Sequence, residues 1–224
     1  MFARLKTSRA GSFVPELVML VVGINIALWF EGKFEDFRDA RTEVEYLQGL
    51  ADDLRTDIEV LDSVISDNKG KIARLESIIP GIPDLAEASP EEQTAAIFEP
   101  SSYAFFEPSD FTYTSMRESG DFRLLSDPGI KEDILRLARQ YRLIETLQGN
   151  FIQALDDSYI PGMMSKFNLL ELRIEDESLL DDLVFGNFFA FTLQDTGNRV
   201  WTYESARKQA SELLALIEQQ RGVG

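Results

Sequence analysis

The 224 residues include no cysteine and no histidine. Without cysteine there is no disulfide, no thiolate nucleophile and no thiolate metal site. Without histidine the chain lacks the commonest general base, the commonest metal ligand and the usual switch near neutral pH. A histidine-ligated haem or chlorophyll is excluded, as is a ferritin-like di-iron centre, which needs Glu-x-x-His pairs. No Gly-rich phosphate loop and no G-x-S-x-G elbow occurs. Carboxylates are plentiful, in runs such as Asp52-Asp53, Asp156-Asp157, Glu175-Asp176-Glu177 and Asp181-Asp182. None has the alternating form of a calcium loop, and their positions suit a solvated helix face. A hydrolase built on paired carboxylates would need two acids converging in a cleft, which spacing does not show. The expectation is no catalytic residue, no metal ligand and no cofactor: not an enzyme.

What the chain does have is one long apolar run, residues 13–30 (FVPELVMLVVGINIALWF), with only Glu16 and Asn25 strongly polar. As a helix it measures roughly 27 Å, close to a bilayer core of about 30 Å. The expected organisation is a basic cytoplasmic tail (1–12), a transmembrane helix (13–30) and one extracytoplasmic helical domain (31–224). Arg4, Lys6 and Arg9 precede the run without an acid, whereas the far flank mixes signs, so the N-terminus is expected inside. That places the bulk of a single-pass protein outside, in a periplasm or its equivalent. The rival is a cleaved signal peptide. The apolar run is longer than the usual signal core, and Ala27-Leu28-Trp29-Phe30 offers no small-x-small cleavage site. Trp29 and Phe30 suit an interfacial belt. Glu16 reads either as a carboxylate at the headgroups near the helix start or as a contact to a neighbouring helix. Asn25, and the small pair Gly23 and Ala27, point to a partner helix.

Three of the 22 cations and one of the 39 acids fall in residues 1–30, leaving a formal charge of −19 on the remainder. Such a domain repels nucleic acid and anionic lipid. The acidity reads as a solvated surface or as a docking face for a basic partner.

Beyond the anchor, apolar residues alternate at steps of three and four: Phe37, Ala40, Val44, Leu47, Ala51, Leu54, Ile58, Leu61, Ile65, Ile72, Leu75 and Ile79, with Asn68 also in register. This predicts a long helix packing by a narrow coiled-coil stripe and ending at Pro80, with Asn68 setting register or marking a looser stretch. Ser89-Pro90-Glu91-Glu92 has capping-box form and predicts a helix over 90–98. An aromatic group follows, from Phe98 to Tyr113. It reads as a plug closing one end of a bundle, or as an exposed partner patch formed by Tyr103, Phe105, Phe106 and Phe111. A short helix is expected over 112–118, stopped by Gly120. Asp127-Pro128 opens a second long helix, about 128–158, ended by Pro161-Gly162 and expected to be the antiparallel partner of the first. Residues 163–180 suit a short strand or a connector. Two last helical segments are expected, broken at Thr196-Gly197-Asn198. The predicted fold is all-α: one N-terminal transmembrane helix continuing into an antiparallel bundle with long coiled-coil-like helices.

Two stretches resemble a family of uncharacterised bacterial single-pass membrane proteins. Residues 15–29 (PELVMLVVGINIALW) resemble an anchor of the form G-E-I-x-L-V-V-x-G-I-x-I-A-L followed by Trp, with Tyr46-Leu47 and Asp52-Asp53-Leu54 matching the helix after it. Residues 113–125 (YTSMRESGDFRLL) resemble a Y-x-x-L-K-x-S-G-N-L-R-L-I segment. The chain departs from the pattern at Pro15 and Asn25. The resemblance implies membrane topology and a helical ectodomain but no chemistry.

The function expected is a non-catalytic accessory or structural subunit. Its helix would pack, within the lipid bilayer, against other integral membrane subunits of a larger complex, an energy-converting assembly being one such host. Pairing with further copies of itself is open. The alternative is a sensory or ligand-binding ectodomain, which an open pocket lined by the 98–113 aromatics would favour.

Overall fold

The computed structural model describes the backbone of residues 13–223 and the side chains of residues 16–222; the basic segment 1–12 lies outside the described residues. Helix α1, Phe13–Ile78, joins the apolar run to the charged seam without interruption. Its 66 residues reach about 99 Å at 1.5 Å per residue. Pro80 and Pro83 end it in a 3-10 stretch, Ile79–Glu87. Helix α2, Pro90–Phe98, opens on the expected capping box: the Glu92 N–H donates to Ser89 Oγ and the Ser89 N–H to Glu92. A turn, Glu99–Ser101, leads into an extended strap, residues 102–110. Helix α3, Phe111–Ser119, stops at Gly120, whose φ of 78° is left-handed and costs glycine little. Helix α4, Pro128–Ala154, is capped by Asp127, which accepts from the N–H groups of Gly129 and Ile130.

Pro161 does not end this second helical run. A π turn, Leu155–Tyr159, shifts the hydrogen-bond register, and α5, Ile160–Lys166, continues with Pro161 in its first turn. There the missing N–H would have been unpaired in any case. A two-residue hairpin follows, β1 (Phe167–Asn168) against β2 (Arg173–Ile174), and resolves the ambiguous stretch. The last element, α6, Leu183–Val223, is one helix of 41 residues with no break at Thr196-Gly197-Asn198. Burial of Thr196, Arg199 and Val200 in the bundle outweighs the weak helix propensity of a single glycine.

The antiparallel partner of α1 is α6, not α4. Leu47, Leu50 and Leu54 cluster with Ala210, Leu213 and Ile217, whereas Leu75 clusters with Phe185, Phe188 and Phe189. Between them Leu61 and Ile65 meet Val200, Tyr203 and Ala206. Ala51, Ala206 and Ala210 have no exposed surface, and their small size lets the two backbones approach closely. Helix α4 runs parallel to α1, with Ile130 and Ile134 at the Leu47 end and Phe151 and Leu155 at the Leu75 end. The face that α1 buries is therefore wider than a two-helix stripe, because Leu50, Asp57, Val64 and Lys71 beside the seam are buried too. At the other extreme the seam outruns its partners. Phe37, Ala40 and Val44 are exposed, since α6 ends opposite Leu47.

Candidate functional site

Every residue of α1 from 16 to 38 is exposed, and nothing packs against Gly23 or Gly32. This helix is long and apolar enough to cross a membrane. Within it Asn25 donates from Nδ2 to the Val21 carbonyl at 2.7 Å, so its amide is partly satisfied by its own helix. At about 100° per residue, Glu16, Gly23 and Ala27 share one side of the helix and Asn25 lies on the other. The small pair and the Asn25 amide therefore lie on opposite faces of the helix. Trp29 and Phe30 pack edge to face at 5.2 Å, and both are exposed. Phe34 and Phe37 lie one and two turns further out, 73% and 75% exposed. They lengthen the aromatic band beyond the apolar run; Phe34, among charges, lay outside both the run and the seam that begins at Phe37.

The strap 102–110 has no secondary structure, and its backbone groups are met by side chains of α1 and α4. Asn68 donates to Ala104 O at 2.9 Å. Lys71 donates to the carbonyls of Pro100 and Ser102. Gln148 accepts from the Phe106 N–H and donates back to its carbonyl, at 3.0 and 3.1 Å. Asp57 accepts from the Ser109 N–H and from the Tyr141 hydroxyl, both at 2.7 Å. The Thr112 N–H, just past the strap, donates to Asp53. These bonds explain the polar residues buried along α1, because an unpaired buried backbone group is costly. Burial raises the Asp57 carboxyl above its ordinary range, against the lowering effect of its donors, and raises the Tyr141 hydroxyl. The strap runs down the side of α1, from Asn68 to Asp53. It does not plug an end of the bundle, since its anchor points spread over four turns of that helix.

Beneath the strap lies a buried cationic centre. Lys71 and Arg199 are 2% and 1% exposed, and both stand over the Phe151 ring, at 5.1 and 4.5 Å from its centroid. Asp195 Oδ2 is 2.8 Å from Arg199 Nε, but the N–H is not aimed at it, so the contact is an ion pair and not an aligned hydrogen bond. Burial, helped by the Arg199 charge, pushes the Lys71 ammonium down to about 8. A lysine with a depressed pKa contributes stability that is complete above its unfolded value of 10.5 and is lost as pH falls through 8. The melting temperature of the wild type is therefore expected to rise relative to that of Lys71→Met between pH 8 and 10.5. Parallel thermal melts across that window would contradict it. Arg199 carries no sequence signal, because an arginine in a helix reads as solvated.

The aromatics separate. In an extended strap, successive side chains point to opposite sides. Phe105 turns edge-on to Phe151 and carries Tyr103 stacked on it at 4.5 Å, whereas Phe106 is 2% exposed and packs against Tyr141. Phe111 is 80% exposed. The four are thus not one surface patch, and Phe106 belongs to the core. A cleft of about 570 Å³ opens between the strap, α3 and α4, walled by Phe105, Phe106, Tyr113 and Tyr141. Among the described residues, no group of three or more acidic side chains is placed to hold a metal ion.

A family model described as "Family of unknown function (DUF6090)" matches residues 16–196, from the exposed N-terminal part of α1 into α6. No curated protein and no solved structure matches the chain.

Proposed function

We propose that this chain, which belongs to the DUF6090 family of unknown function, is a membrane-anchored accessory protein without catalytic activity. In this reading the exposed N-terminal third of α1 crosses a bacterial cytoplasmic membrane and packs beside helices of a larger membrane assembly. The acidic helical body then stands on the outer face, held away from the bilayer by the stalk around Phe34 and Phe37. The observation that carries the reading is the run from residue 16 to 38, in which no side chain is buried although most of its first half is apolar. An apolar surface that long is not left in water; it is covered by lipid or by a partner. The basic segment 1–12 supports an inside N-terminus, and the pair Gly23 and Ala27 supports close approach of another helix. The test is extraction in a mild detergent followed by native electrophoresis. The 25.4 kDa chain should co-migrate with other membrane proteins. Migration as a single chain in its micelle would sink the accessory role.

A second reading, a ligand-binding ectodomain, is favoured by one observation: the cleft is open and is lined by Phe105, Phe106 and Tyr113.

A further inference from the structure

We infer that the cleft between the strap, α3 and α4 binds a small zwitterion with an apolar body, of which an α-amino acid with an apolar side chain is the plainest case. The inference rests on the ligand-binding reading and is independent of what α1 packs against.

The volume of about 570 Å³ lies within the range of ordinary ligand pockets. Its inner wall is aromatic. Phe106, itself buried, backs Tyr141 at 5.1 Å between ring centroids, and Tyr113 is steadied by the edge of Phe122. Such a wall accepts an apolar body and fixes its plane. Around this wall stand charges of both signs: Arg117 and Arg142, and the carboxylates Glu107, Asp110 and Glu145. Elsewhere on the described surface most basic side chains, though not Arg123, Lys131, Arg139 or Arg221, stand within 4 Å of an acid. Arg55 bridges Asp52 and Glu218, Arg173 bridges Glu171 and Glu175, and Arg207 sits on Asp62. In the cleft neither Arg117 nor Arg142 stands within 4 Å of a carboxylate among the described residues, although the domain is strongly acidic and acids line the same cleft. Arg117 lies instead over the Tyr113 ring, at 5.8 Å. Asp110 takes a hydrogen bond from Thr114 and no cation.

A simple anion would meet the two guanidinium groups but also three carboxylates, and a simple cation would meet the reverse. A zwitterion satisfies both sets: its carboxylate faces an arginine in a fork geometry and its ammonium faces an acid. The bland alternative is five solvated surface charges around a groove, and it predicts no preference between ligands.

Titration calorimetry on the full chain in lipid nanodiscs separates the two. L-Phenylalanine is the probe, with 3-phenylpropionate and phenethylamine as analogues that lack one charge each. L-Phenylalanine is expected to bind with a Kd of about 1 mM or tighter, and each analogue about tenfold more weakly or worse. The double variant Arg117→Gln/Arg142→Gln, both on the surface, should lose binding about tenfold while keeping the wild-type melt. The analogue series needs no variant and stands if the double variant folds poorly. The inference is overturned if L-phenylalanine gives no saturable heat up to about 10 mM, far above the expected Kd. It is equally overturned if the analogues match L-phenylalanine. Neither result would alter the native-gel test of α1, so the two readings fail separately.

Discussion

Phe151→Ala is expected to destabilise the helical body by about 5 kcal/mol, at the upper end of a Phe→Ala change in a core. That is a third or more of the stability of a typical domain, and the variant should be largely unfolded near 37 °C. Phe151 has no exposed surface and stands where α4 meets α6 and the strap, against Phe105 and Phe188. Its ring also faces two buried cations, Lys71 and Arg199. Truncation opens a cavity and removes the ring that partly replaces their lost water. The cation contribution can be read separately. Phe188 is also buried, at 4% exposed, in the same cluster, and among the described residues no cation stands over its ring. Phe188→Leu should cost about 1–2 kcal/mol, and Phe151→Leu about 1–2 kcal/mol more, the difference being two desolvated cation–π contacts. Thermal unfolding followed by circular dichroism measures both. Equal losses in the two Leu variants would show that the cations draw nothing from the ring.

This centre was not legible in the residues, whereas much around it was. Ser89 with Glu92, Asp127 with Pro128, and Gly120 each act within a turn of their own position, and each holds the place that its local chemistry predicts. The same holds for the apolar run and the seam of α1, whose period needs no partner to be seen. What failed was long-range. The choice of α6 over α4 as the antiparallel neighbour depends on Ala210 meeting Ala51 and Ala206 meeting Leu61 and Ile65, and small residues give a weak periodic signal. The continuity of α6 through Gly197 comes from burial of its flanks and not from local propensity. Asn68 stood out as a polar residue on an apolar stripe, but its partner, the Ala104 carbonyl, lies 36 residues away across the strap. The cleft charges come from positions 107 to 145 on three separate elements, with no spacing that links them.

Sidedness of the membrane is the point on which the proposed function turns. The native chain has no cysteine, so one substitution creates one labelling site. Ser77, near the far end of α1, is exposed, and about 70 Å of helix separates it from the end of the apolar run at Phe30. Ser8 lies in the basic segment before the run. In cells whose cytoplasmic membrane is intact, a membrane-impermeant maleimide should label Ser77→Cys in the membrane fraction, and should label Ser8→Cys only after permeabilisation. A protected Ser77→Cys beside a labelled Ser8→Cys, or recovery of both from the soluble fraction, would contradict the account.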